Sequence, residues 1–149
     1  MRVKTALVAV GIAAGSLFGL AGTAQAACQA EWACLYSHNN LGGYKYTSFN
    51  SQPNWGSLRY GGSGSNIPLW NGSDTGFYNV SSMENKDHNS PIAVFYNSEY
   101  RGSCFTIRSS GTVLDFANVR LAGGTKHNWV ANDMMNSHHF NQTCGTVYG

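Results

Sequence analysis

The chain runs to 149 residues, 42% of them hydrophobic and only 11% charged, with nine Lys and Arg against seven Asp and Glu. Two of the nine basic residues, Arg2 and Lys4, lie in an N-terminal segment with the features of an export signal, so residues 27–149 carry seven charges of each sign. That balance argues against nucleic acid or an anionic membrane as a partner, because phosphate binding needs a surplus of Lys and Arg.

In chain order, Arg2 and Lys4 precede an uncharged apolar run from Thr5 to Ala21, then Ala24-Gln25-Ala26. A run of about 17 residues is close to the lower limit for a membrane span, but small residues at 24 and 26 predict cleavage after Ala26. The expectation is a signal peptide at 1–26 and one secreted, extracellular domain at 27–149, with no membrane contact after the signal is removed. A domain of that size buries about two thirds of its unfolded surface, enough for a real core. A monomer is the default expectation.

Cys28, Cys34, Cys104 and Cys144 all follow the signal. An even number of cysteines in an exported chain predicts two disulfides rather than a catalytic thiol. Three pairings are possible, of which we favour Cys28 with Cys34, a short loop, leaving Cys104 with Cys144.

Short aromatic and β-branched runs alternate with Gly, Asn and Ser clusters and show no helical spacing, which predicts an all-β chain. The predicted strands are 33–37, 44–49, 76–80, 92–97, 104–108, 112–116 and 127–130. The chain also repeats. At a constant offset of 59, CLYSHNNLGG from Cys34 aligns with AVFYNSEYRG from Ala93: Leu35 meets Val94, Tyr36 meets Phe95, Leu41 meets Tyr100 and Gly43 meets Gly102. The same offset brings Trp70 to Trp129 and Asp74 to Asp133. Two copies in one small domain predict a duplicated supersecondary unit rather than a solenoid.

Both copies space an aromatic, four residues, a large apolar residue, one residue and Gly. The expected physics is an aromatic sent inward from a strand, a fold-back that covers it, and a Gly at a backbone angle closed to other residues. The spacing resembles the folded hairpin of βγ-crystallin Greek keys, fully at Phe95, Tyr100 and Gly102, and at Tyr36, Leu41 and Gly43 with Leu as the second large residue. The resemblance implies a βγ-crystallin-like sandwich of two Greek-key motifs, the first at about 32–83 with a long insertion and the second at about 92–140. The Gly, Ser and Asn-rich stretch between Asn50 and Thr75 is where the insertion is expected, and long loops in compact domains are often functional.

Asn132-Asp133-Met134-Met135-Asn136-Ser137 resembles the calcium signature of microbial βγ-crystallins, which is Asn or Asp twice, two residues, Ser or Thr, then Ser. This implies Asn132, Asp133, Asn136 and Ser137 as ligands for Ca2+, an ion that takes oxygen donors. Asn136 stands where a hydroxyl is usual. The first unit keeps Ser81 and Ser82 but has Phe77 and Tyr78 in place of the amide or acidic pair. A structural reading, with Asp133 and Ser137 satisfying backbone groups at a turn, competes with calcium.

His138 and His139 are adjacent and on a strand would face opposite ways, so zinc is not expected. Gly61 to Ser65 reads GGSGS and lacks the spacing of a nucleophile elbow, no P-loop occurs, and the acidic residues are scattered. No catalytic residues are assigned, and the chain is not expected to be an enzyme.

A short exported chain with C-x5-C-L-Y, then L-x-G, and W-x-x-N-D late in its second unit resembles the bacterial metallopeptidase inhibitors. Cys28, Trp32, Cys34, Leu35, Tyr36, Leu41, Gly43, Trp129, Asn132 and Asp133 carry that likeness, over residues 28 to about 140. It implies a secreted inhibitor without a required cofactor that blocks the cleft of an extracellular protease with a rigid loop. Thermolysin-type targets favour a large apolar residue after the cleavage point, which makes Leu58, Ile67, Leu69 and Phe105 candidate contacts. The alternatives are a calcium-binding structural or stress module and a secreted antimicrobial, killer-toxin-like protein.

Overall fold

The computed structural model describes residues 26–149. All but the last residue of the expected signal peptide lies outside the described residues. The described residues form eight strands: β1 (Ala33–His38), β2 (Gly42–Ser48), β3 (Ser82–Asn85), β4 (Ile92–Asn97), β5 (Arg101–Ile107), β6 (Thr112–Val113), β7 (Ser137–Phe140) and β8 (Val147–Tyr148). They make two sheets, ordered β2-β1-β3-β6 and β7-β4-β5-β8. Each sheet takes a strand or bridge from the other half of the chain. β6 pairs with β3 in the first sheet, and Gln52 bridges His138 of β7 in the second. This reciprocal exchange makes two interlocked Greek keys, as expected for an all-β sandwich.

The core fills the space between the sheets. Alternation along β1 and β4 puts Ala33, Leu35, Ile92 and Val94 inward, against Trp55, Met83, Phe105 and Phe116. The aromatic of the repeated hairpin takes the other face. Phe95 lies in a separate cluster with Ala93, Cys104, Cys144 and Tyr100, its ring 6.3 Å from that of Tyr100 in an edge-on arrangement. The expected inward orientation is therefore corrected. Strand alternation fixes the choice, because Val94 already claims the core side, and the folded-back tip with its disulfide shields the outer ring.

The two tips share backbone conformation. Asn40, Leu41 and Gly43 have φ of 54°, 57° and 74°, and Glu99, Tyr100 and Gly102 have 58°, 56° and 84°. A side chain at Gly43 would collide with Ser37 Oγ, so both the angle and the space require Gly there.

Two of the expected strands are not strands. Segment 76–80 begins with a turn, Asn79 N donating to Gly76 O at 2.8 Å, and β3 starts only at Ser82. Segment 127–130 contributes a single bridge, Val130 to Arg120. Strand 112–116 shortens to β6 and leads into a 3-10 turn at Phe116–Asn118, where the Asp115 carboxylate caps Ala117 N at 2.8 Å. A matching turn at Trp55–Ser57 is capped by Asn54, which accepts from Gly56 N at 2.9 Å.

The insertion also moves. Arg59 bridges Pro68 just as Arg120 bridges Val130, so the path from 52 to 69 in the first unit is mirrored in the second. The offset is 62 at Pro68 and Val130 but 55 at Ser82 and Ser137, which places seven extra residues in the first unit after Pro68. They lie within 70–79, a loop closed at its base by Val80 N donating to Leu69 O. Trp129 therefore corresponds to Ile67 rather than to Trp70.

The disulfides are Cys28–Cys34 and Cys104–Cys144. They fit an oxidising environment.

Candidate functional site

Paired serines hold the two hairpin tips. Ser82 Oγ donates to His38 O at 2.6 Å and accepts from Leu41 N at 3.1 Å. Ser137 Oγ donates to Asn97 O at 2.7 Å and accepts from Tyr100 N at 3.2 Å. Each hydroxyl ties down the hairpin tip of its own unit. Ser137 therefore has its hydroxyl committed to the tip.

The residue before each serine differs. Asn136 Oδ1 accepts from Trp55 N at 3.0 Å and Gly56 N at 3.2 Å, capping the first unit's 3-10 turn. Ser81 instead faces oxygens. Its Oγ lies 2.7 Å from Asp133 Oδ1, 3.1 Å from Ser37 O and 3.1 Å from Asn79 O. One hydroxyl has one proton to offer three acceptors. Calcium ligands at 2.3–2.6 Å, crowded six to eight around an ion, sit about 3 Å from one another, so this spacing fits such a cage. The oxygens come from both units, with Ser37, Asn79 and Ser81 from the first and Asp133 from the second.

Of the four ligands implied by the motif, the structure brings together only Asn132 and Asp133, with Asn132 Nδ2 donating to Asp133 Oδ2 at 2.6 Å. Asn136 and Ser137 point their oxygens at backbone amides elsewhere. Ser81 belongs to the motif copy that lacks the amide or acidic pair, and the fold makes it the complement of Asp133. Ser37 O and Asn79 O are backbone atoms, which carry no residue-type signal.

Asp133 adopts φ of 61°, a left-handed conformation that Asp tolerates. Burial pushes its carboxyl pKa up, against the hydrogen bond from Ser81 and the nearby His38. A half-buried carboxylate short of positive charge is what a bound cation relieves. Ser37 O also meets His38 Nδ1 at 2.7 Å. Among the described residues no three His, Cys, Asp or Glu side chains converge, so a cation here depends on hydroxyl and backbone oxygens.

The extra segment 70–79 runs beside this cluster and is braced from several sides. Asn79 is its organiser: Oδ1 accepts from Asn71 N at 2.9 Å, and Nδ2 donates to Ser73 O at 2.7 Å and to Asp133 O at 2.5 Å. Asp74 crosses to the second unit, accepting from Tyr96 Oη at 3.0 Å and pairing with Lys126 at 3.2 Å. Lys126 in turn sits 3.7 Å above the Trp129 ring. At the tip, Phe77 is 73% exposed and packs edge-on against Tyr78 and His38.

The candidate protease contacts divide. Leu69 and Phe105 are fully buried in the core, so the folded protein offers neither to a partner, and Leu58 and Ile67 are partly buried against the same core. Patterning could not distinguish these residues because a loop leucine and a core leucine look alike without the bridges that turn 58–69 inward. His138 and His139 take opposite faces. His138 is buried, accepting from Trp55 Nε1 at 2.9 Å, and His139 lies against Tyr100.

No protein-family model matches the chain, and the search of curated proteins returned no match. Among solved structures, one described as "Evolution of the eye lens beta-gamma-crystallin domain fold" superposes with a TM-score of 0.55 at 19% identity. The match covers 81% of this chain and 95% of that one. The chain thus has the βγ-crystallin domain fold.

Proposed function

We propose that the protein is an extracellular βγ-crystallin-type module that binds one calcium ion where its two units meet. The observation that carries this reading is the cluster of Ser81 Oγ, Ser37 O, Asn79 O and Asp133 Oδ1, four oxygens with one proton among them. Asp133 supplies the charge, Ser81 the hydroxyl, and the two carbonyls complete the protein's share of the shell. The pseudo-equivalent position in the second unit has Asn136 for the hydroxyl and Tyr78 for the carboxylate, which favours a single ion. Binding to the folded state alone raises its stability, by about 2.7 kcal/mol at a hundredfold excess over Kd. Calorimetric titration of chelator-treated protein with calcium tests the proposal. A stoichiometry near one supports it, and no heat together with no thermal shift sinks it.

A second reading, inhibition of an extracellular metallopeptidase, is favoured by the braced segment 70–79 with Phe77 at its tip. A loop ordered in advance loses little entropy on entering a cleft, and Phe77 is the large apolar side chain that thermolysin-type enzymes accept. Asn79 and Asp74 supply the bracing. Titration against a thermolysin-type peptidase, with a serine peptidase alongside, decides. Tight inhibition lost in Phe77→Ala supports the reading, and full peptidase activity at large inhibitor excess ends it.

A further inference from the structure

We propose that a groove between the units, walled by Trp70 and Tyr96, binds an acidic oligosaccharide, a short chain of hexoses bearing uronic carboxylates. The groove occupies the second unit's counterpart of the oxygen cluster. Phe116 N donates to Ser81 O and Trp55 N to Asn136 O, which makes Asn136 the counterpart of Ser81, and the hairpin offset of 59 makes Tyr96 that of Ser37. Loss of the hydroxyl and the carboxylate leaves this half unsuited to a cation. What replaces them is a different kind of site.

The groove encloses about 590 Å3, within the ~300–1,000 Å3 usual for small-ligand clefts. Its lining holds two aromatic side chains, three asparagines, Ser98 and Arg101, and no acidic residue. Aromatic faces carry negative charge density and stack against the C–H face of a pyranose ring. Tyr96 is held in position for this by its hydroxyl on Asp74 and by Lys126 near its ring. Trp70 is half-buried and packs against the core, which fixes its ring as a wall of the groove.

The polar groups have capacity left over. Asn54 and Asn136 use their oxygens on backbone amides, which leaves their Nδ2 groups as donors. Arg101 is exposed and lies outside both ion pairs of the described residues. As the groove's one charged side chain, it selects a carboxylate, which its planar fork can hold through two hydrogen bonds. Donors exceed acceptors here, which suits an anionic sugar better than a cationic one.

The test is calorimetric titration of the purified protein with trigalacturonate and, separately, cellotriose, in chelator so that the cation cluster plays no part. Saturable binding of trigalacturonate is expected, at least about tenfold tighter than cellotriose and weakened about tenfold in Arg101→Ala. Arg101→Ala removes an exposed side chain and should leave the melting temperature unchanged, and Trp70→Leu keeps an apolar side chain while deleting the stacking face. Absence of trigalacturonate binding up to about 10 mM, equal affinity for the two sugars, or binding undiminished in both variants overturns the proposal.

Discussion

Ser81 of the first Greek key donates its hydroxyl hydrogen to Asp133 of the second at 2.7 Å, joining residues 52 positions apart in sequence. The carboxylate that receives this bond is disfavoured by its burial, so the pair couples the junction of the two units to charge.

Asp133→Asn keeps the shape and removes that charge. A folded-state pKa above the unfolded value means that Asp133 favours folding below its unfolded pKa, and that this contribution is lost as pH rises through the folded value. The metal-free variant is therefore expected to match or exceed the parent in thermal stability at pH 7. The parent should gain about 4 °C or more in saturating calcium, and the variant nothing. Ser81→Ala should weaken the calcium response at least tenfold in concentration. Differential scanning calorimetry with and without calcium reads all three.

His138 predicts acid sensitivity. Burial lowers its pKa to about 3 from an ordinary 6.5, so the unfolded chain binds the proton more tightly. Stability from neutral His138 is present above pH 6.5 and declines as pH falls towards 3, with a limiting slope of about 1.4 kcal/mol per pH unit. Urea unfolding between pH 4 and 7 should show this slope, and His138→Gln should flatten it. An unchanged slope in the variant would assign the effect to other groups.

The serine clamps should act alike. Ser82→Ala and Ser137→Ala each leave a backbone carbonyl and an amide of a hairpin tip without their partner, at a cost of about 1–3 kcal/mol. Because each serves its own unit, the double variant should be close to the sum, measured as denaturation midpoints with unchanged m-values.

The disulfides should differ in weight. Cys104–Cys144 closes a span of 40 residues and Cys28–Cys34 one of six. Paired Cys→Ser replacement should cost about 2–5 kcal/mol at the first and less at the second, by the loop-closure argument. Equal losses would show that loop length does not set the difference.

Residue types alone specify the all-β class and the duplicated hairpin. Period-two patterning and the glycine at the fold-back are local requirements written into residue types, as Gly43 and Gly102 show with their positive φ. The remainder depends on contacts between residues far apart in the chain. The constant offset of 59 holds along the first hairpins and then fails, because seven additional residues enter where no periodicity marks them. Strand alternation, with Val94 facing the core, turned Phe95 outward. Leu69 and Phe105 look like contact residues until long-range bridges bury them. The oxygen cluster was half visible: Asp133 and Ser81 have the right chemistry, but only the exchange of strands between units places one beside the other. Ser37 O and Asn79 O could not be read at all, since every residue has a carbonyl and only the fold determines where it points.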